Sequence, residues 1–326
     1  MEQIALGTSG RHTTRLGFGC SSLMGATGRR DSLKLLETAY DAGIRHFDVA
    51  PMYGYGEAES CLGEFFQHHR GQITVTTKYG IPPGKNSALI KIGRRIAAPV
   101  IQQLPGLKQR LARVAKAATR NDERPAFTAA QAKASLDRSL TALRTDHIDL
   151  WLLHEVTARD LQDDTLLQLL EAEVEKGTIG GFGVGSSSDK IPTLLAERPS
   201  YCRALQYEWS ALDAPIQPSA QFRIHHRALT NNFRSLHAFV LREKTLRQRW
   251  SAATDTDLSY PELLASLMLK ASLVMNPASI ILFSSKKPTH IHINVETASD
   301  ITLERPARQL YALIQAERAR LTSISG

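Results

Sequence analysis

Cysteine is scarce in this chain and poorly placed for structural work. Cys20, Cys61 and Cys202 are odd in number, far apart and in no CxxC pair. That argues against a disulfide framework or a zinc site and makes a reducing cytoplasm the expected compartment. No stretch approaches eighteen consecutive apolar residues, so no transmembrane helix and no membrane partner are expected. The opening run Met1-Glu2-Gln3-Ile4-Ala5-Leu6-Gly7 has no basic region followed by an apolar one, so it is not expected to be a secretory signal. No internal repeat is visible. There is no Walker A pattern. Gly17-Phe18-Gly19-Cys20-Ser21-Ser22 closes the first strand-like run without GxGxxG, which weighs against a doubly wound dinucleotide-binding sheet.

An excess of charge of one sign is also missing from most of the chain. The formal net charge is +8, and residues 85–124 hold ten Lys/Arg against two acids (Asp122, Glu123). Ten minus two is +8, so this one segment carries the whole excess. A nucleic-acid-binding surface would spread its charge over a face, so no nucleic-acid partner is expected. Leu104, Leu107, Leu111 and Val114 recur in the segment at helical spacing. One reading is a helical insertion with a solvated face. Another is a basic collar that concentrates an anionic cofactor or substrate. Pro99 and Pro105 weigh against a membrane-surface helix.

What is present is alternation. Strand-like runs cover Arg15–Cys20, His46–Ala50, Ile73–Lys78, His147–His154, Gly180–Val184, Arg203–Tyr207, Arg223–Leu229 and Ser279–Phe283. Helical patterns separate them. One is capped by Asp31 and closed by Gly43, one spans Glu57–Gln67 and one starts at Thr128. Others run over Asp163–Lys176, Ile191–Glu197 and Pro261–Met275. Strand–helix alternation implies parallel strands with helical crossovers. Eight pairs predict an α/β fold, a closed (β/α)₈ TIM barrel. It would carry a basic insertion after strand three, 81–125, and a long segment after strand six, 211–260. The 326 residues would then be one domain, 1–326, because such barrels run this long.

Four polar residues stand out against these runs. Asp48, Lys78 and His154 each lie at or near the carboxyl end of one, and Tyr53 lies in the loop after the first of them. Side chains at strand carboxyl ends point into the face where α/β barrels do their chemistry. Taken singly, an Asp–Lys pair or a strand-end His is more often structural than catalytic. Together, an acid, a phenol, an amine and an imidazole at one mouth suit proton transfer.

At these residues the sequence resembles the aldo-keto reductases. The resemblance runs through Leu16-Gly17-Phe18-Gly19, Gly43–Gly54, Thr77-Lys78-Tyr79-Gly80, Asp149–His154, Gly181–Ser186 and Ser284–Asn294. It implies a barrel that binds NADP(H), or less often NAD(H), and reduces aldehydes or ketones to alcohols. The partner is then a small-molecule carbonyl or alcohol. The family's catalytic tetrad falls on Asp48, Tyr53, Lys78 and His154. Tyr53 would give the proton. Lys78, held by Asp48, would lower the phenol's pKa from about 10. His154 would orient the carbonyl oxygen.

The cofactor residues implied are Ser186, Gln206, His226, Ser284, Ser285, Lys286, His290 and Asn294. Ser186 and Gln206 would grip the nicotinamide amide, and His226 would stack on its ring. Ser285, Lys286 and Lys287 would meet a 2′-phosphate at a helix N-terminus. His290 stands where the family carries Arg, and Asn294 would lie by the adenine. Two alternatives stay open. One is NAD(P)-dependent oxidation of a sugar or other alcohol on the same barrel. The other is a non-catalytic nucleotide-sensing subunit. Substrate identity would rest on the loops 81–125 and 211–260.

Overall fold

The chain's structure, a computed structural model, describes residues 1–25, 27–84, 126–216, 220–229 and 231–322. An antiparallel hairpin, β1 (Gln3–Ala5) and β2 (His12–Thr14), comes first. Eight strands follow: β3 (Leu16–Gly19), β4 (His46–Asp48), β5 (Thr74–Tyr79), β6 (Leu150–His154), β7 (Phe182–Gly185), β8 (Ala204–Glu208), β9 (Phe222–His226) and β10 (Ser279–Phe283). They close in the order β10-β3-β4-β5-β6-β7-β8-β9. All neighbours are parallel, including the closing pair β10 and β3. The expected barrel is therefore present, with strand ends within a few residues of the expected ones.

Alternation along each strand decides what faces where. Phe47, Val75, Trp151, Leu153, Phe182, Val184, Leu205 and Ile281 pack outward with helical residues in one apolar cluster. Leu150, Leu152, Ala204, Ile224, Ile280 and Leu282 face inward and form a separate cluster, joined by Leu6 from the hairpin. The inward set leaves no room at β3, where a Cβ on Gly17 would lie 2.7 Å from the Leu282 side chain and 2.9 Å from His46. Hence the small, glycine-rich first barrel strand.

The helices supply the crossovers: α1 (Arg29–Asp41), α2 (Ala58–His69), α3 (Ala129–Leu143), α4 (Asp164–Glu175), α5 (Ile191–Glu197), α6 (Asn231–Arg242), α7 (Lys244–Thr254), α8 (Pro261–Met275), α9 (Pro288–Ser299), α10 (Glu304–Ala316) and α11 (Arg318–Thr322). Thr128 caps α3 as expected, its side chain accepting from Gln131 N. Asp31 does not cap α1. The cap position is Gly28, and Asp31 sits in the first turn, where a negative charge suits the helix dipole.

The segment 211–260 holds the seventh barrel strand and two helices, α6 and α7. Its long part thus follows strand seven. A second apolar core explains why it is structured, with Trp250, Phe239 and Leu236 packing against Trp209 and residues of α8 and α10. Trp250 is fully buried. A ring burying about 200 Å² at about 25 cal/mol per Å² gains on the order of 5 kcal/mol. The basic helical pattern of 85–124 lies outside the described residues.

Candidate active site

The inward alternation that fills the lower barrel with Leu and Ile places polar residues at its carboxyl-terminal end. Asp48 closes β4, Lys78 lies near the end of β5, His154 closes β6, Gln206 stands on β8 and His226 closes β9. Lys78 is 2% exposed. Its ammonium donates to Asp48 Oδ1 at 2.6 Å and to the Val49 carbonyl at 3.0 Å. The other carboxylate oxygen, Oδ2, accepts from Gln206 Nε2 at 2.7 Å. One carboxylate therefore ties together three strands.

Tyr53 opens a tight turn, Tyr53–Gly56, in which Gly54 and Tyr55 are left-handed. Gly54 is required there, since a Cβ would lie 2.5 Å from that of Met24. The turn sets the Tyr53 ring with its centroid 5.4 Å from the Lys78 ammonium. Asp48, Tyr53, His154, Ser186, Gln206, His226, Ser284, Ser285, His290 and Asn294 line a single cavity of about 770 Å³, within the usual range for ligand sites. Lys78 is buried behind it. Lys286 is not in the lining; it is exposed beside the cavity, as is Lys287. A side chain on the outer side of that loop is turned toward solvent.

Electrostatics sharpen the roles. Burial would lower the Lys78 pKa, but the Asp48 charge and hydrogen bond outweigh it, and the net shift is upward. Lys78 is a fixed cation. Tyr53 departs from expectation: burial pushes its phenol up, and the pull of Lys78 downward is smaller, so the net shift is up. The charge on Lys78 is visible in the sequence, whereas the desolvation that outweighs it arises only from packing. Burial, with Lys78 and His226, lowers His154 to about 3, so its imidazole is neutral at pH 7 and offers one N–H. His154 Nδ1 is buried with no hydrogen-bond partner among the described residues.

The other expected contacts are partly committed already. Ser186 Oγ donates to the Val156 carbonyl at 2.6 Å, which turns its lone pairs to other partners. Ser284 Oγ donates to the Gly19 carbonyl at 2.7 Å. Ser285 Oγ donates to the Lys287 carbonyl at 3.0 Å and accepts from Lys287 N at 3.1 Å, which shapes the entry to α9.

Among the described residues, six non-glycine residues have a left-handed backbone. Arg144 and Asp255 do so as helix C-caps. The other four, Met24, Tyr55, Glu155 and Arg227, lie in loops that leave barrel strands at this same end. Strain of this kind gathers at functional sites.

The aldo/keto reductase family profile matches residues 15–249. The chain belongs to the aldo/keto reductase family. Among curated relatives, the D-threo-aldose 1-dehydrogenase of a Pseudomonas species is 31% identical over 211 residues, 59% of this chain and 56% of that protein. The pyridoxal 4-dehydrogenase of Microbacterium luteolum is 43% identical over 82 residues, 24% of each. The chain spans from about a quarter to just over half the length of the curated relatives it matches. In fold it is similar to an aldo-keto reductase from Bacillus halodurans in its holo form, with TM-score 0.67, 21% identity and 96% of each chain covered. It also resembles one from Klebsiella pneumoniae in complex with NADP and acetate, with TM-score 0.59, 14% identity, 92% of this chain and 91% of that one.

Within this aldo-keto reductase cavity, several lining residues were not anticipated, among them Arg227, Glu155, Glu262 and Ile293. Arg227 and Glu155 each directly follow a strand-ending histidine, His226 and His154. That adjacency was the available signal. Glu262 sits in the first turn of α8, where a sequence reader expects only dipole compensation. Among the described residues, no helix is long and apolar enough to cross a membrane.

Proposed function

We propose that the chain reduces an aldehyde or ketone to an alcohol with NADP(H), using Tyr53 as proton donor. The observation that carries this reading is the Lys78–Asp48 pair at 2.6 Å, set 5.4 Å behind the Tyr53 ring in a cavity shared with His154. The polar groups along that cavity fit a dinucleotide. Ser186, Gln206 and His226 would hold the nicotinamide end, while Ser284, Ser285, His290 and Asn294 would hold the nucleotide end. NADP(H) is preferred because a structural neighbour is described with NADP; NAD(H) is the alternative. The bound nicotinamide supplies the hydride.

The rest is the work of this chain's side chains. Negative charge develops on the carbonyl oxygen as hydride reaches carbon, and a proton must follow. Tyr53, its pKa raised by burial, holds that proton at neutral pH. Lys78 stabilises the phenolate left behind, and Asp48 keeps Lys78 charged and in place. Neutral His154 donates a hydrogen bond that orients the carbonyl. A positioned acid of this kind contributes about 10²–10⁴-fold.

A second reading, oxidation of a sugar or other alcohol, is supported by the names of the two dehydrogenases above. It needs Tyr53 as phenolate, which its raised pKa disfavours at neutral pH.

Tyr53→Phe tests the proposal. The expected loss is at least a hundredfold in turnover of a reactive aldehyde panel, with NADPH binding by tryptophan fluorescence unchanged. Turnover in neither direction by the unaltered chain would refute enzymatic function and leave nucleotide sensing. Faster oxidation of alcohols than reduction of aldehydes near pH 7 would favour the second reading.

A further inference from the structure

Arg227 is the sole Lys or Arg among the described residues that line the cavity. Lys78, the other cation nearby, is buried behind Tyr53 and neutralised by Asp48. Arg227 is different in three respects. Its side chain is exposed, and it forms no ion pair with any described carboxylate. Its backbone is left-handed, with φ 63°, a conformation that non-glycine residues seldom adopt. And it immediately follows His226 at the end of β9 and lines the same cavity as Tyr53 and His154.

The acids of the same cavity do not quench it. Glu155 is paired with Lys190 at 3.0 Å. Glu262 stands on α8. Like Ile293 and Asn294 it lines the cavity, and it forms no ion pair with Arg227. Of the three acids that line the cavity, Asp48 and Glu155 are thus each paired with a lysine, and Arg227 is the cation left without an acid partner among the described residues. Arg227 is near enough to act on both neighbours, weakly lowering the Tyr53 phenol and the His226 imidazole.

We propose that Arg227 anchors an oxyanion of the substrate, so that the preferred substrates are aldehydes or ketones carrying a carboxylate a few bonds from the reacting carbonyl. A guanidinium offers a planar fork of donors that matches a carboxylate with two parallel hydrogen bonds. Fixing that group would hold the carbonyl at a constant distance from Tyr53 and His154, converting a loose encounter into an oriented one. The proposal rests on the reduction assigned above, since it concerns which carbonyl is reduced.

The test compares 4-formylbenzoate with its methyl ester, which share one aldehyde and differ in charge. With the unaltered chain, kcat/KM should favour 4-formylbenzoate. Arg227→Gln should lower kcat/KM for 4-formylbenzoate by about tenfold to a hundredfold, mostly through KM. The ester should change less than twofold and NADPH affinity not at all. Arg227→Lys should restore part of the loss, since charge returns without the fork.

Calorimetric titration of the NADP⁺-loaded chain with benzoate gives a readout free of turnover, and Arg227→Gln should weaken it by a similar factor. An unchanged acid-to-ester ratio in Arg227→Gln would overturn the proposal. So would a loss confined to NADPH binding, which would assign the guanidinium to the cofactor's diphosphate. If neither aldehyde is turned over by the unaltered chain, the reductase reading fails, and the benzoate titration still decides whether Arg227 binds carboxylates.

Discussion

The two ends of the barrel each bury a carboxylate, and they use it in opposite ways. At the amino-terminal end, Asp149 precedes β6 and is fully buried. It is surrounded by partners: Arg70 at 3.0 Å, Arg11 at 3.8 Å, His147 at 3.8 Å, and the Val75 amide at 2.9 Å. Arg70 and Arg11 are themselves partly exposed, so water shares their charge. At the carboxyl-terminal end, Asp48 has one cation, Lys78, as buried as itself, and one amide, Gln206. Beside that pair opens a cavity lined by His154, whose buried Nδ1 has no hydrogen-bond partner among the described residues. The first arrangement fastens loops and strands. The second keeps a cation desolvated next to a phenol. Burial and ion pairing alone do not distinguish structure from chemistry; what the pair faces does.

The largest expected effects come from breaking the two carboxylate sites in turn. Lys78→Met strands Asp48, and removing one partner of a buried pair costs about 3–5 kcal/mol. Turnover should also fall by at least a hundredfold, because Tyr53 loses the charge that stabilises its anion. Asp149→Ala should cost stability on a smaller scale, because its cationic partners keep access to water. Its kcat per folded molecule should be unchanged. Urea midpoints together with active-site-normalised kcat separate the outcomes. If Asp149→Ala abolished kcat at full folding, the division of labour between the ends would collapse.

Gln206 is an intermediate case. It was expected to meet the cofactor, and it also holds Asp48 Oδ2. Gln206→Leu removes a hydrogen bond to a charged group, worth about 1.5–3 kcal/mol. It should lower kcat several-fold by loosening the Lys78–Asp48 pair, and weaken dinucleotide binding as well. An effect on dinucleotide affinity alone, with kcat intact, would show that Asp48 does not need its second partner.

Much of this was legible in the sequence because each polar residue interrupts an apolar run at a strand end. Asp48, Lys78 and His154 are separated by 29 or more residues, yet parallel strands of equal direction bring their ends to one face. What was not legible has physical reasons. The Gln206–Asp48 bond spans 158 positions and depends on inward alternation along two strands. The rise in the Tyr53 pKa depends on burial, which only packing reveals. Lys286 and Arg227 are both basic residues near strand ends. One points away from the cavity and the other into it, and no spacing rule separates them.

The smallest expected effect probes how the barrel interior treats protons between its two ends. His46 lies on β4 two residues before Asp48 and is fully buried. Thr74 Oγ1 lies 3.0 Å from its Nδ1 and Thr76 Oγ1 3.4 Å from its Nε2. Burial lowers its pKa to about 4, whereas an unfolded histidine titrates near 6.5. The folded state therefore holds it neutral while the unfolded state takes up a proton. Its contribution is complete above about pH 6.5 and is lost as pH falls toward 4, at up to about 1.4 kcal/mol per pH unit. His46→Gln keeps a hydrogen-bonding group but cannot titrate. The slope of unfolding free energy against pH, from urea titrations between pH 7 and 4.5, should become shallower by about one proton's worth. His154 and His225, lowered to about 3, and His226, also lowered by burial, should contribute to the slope that remains. If the slope is the same with and without His46, the interior below Asp48 is wetter than its packing indicates. The difference between a sealed lower barrel and an open upper one would then be one of degree.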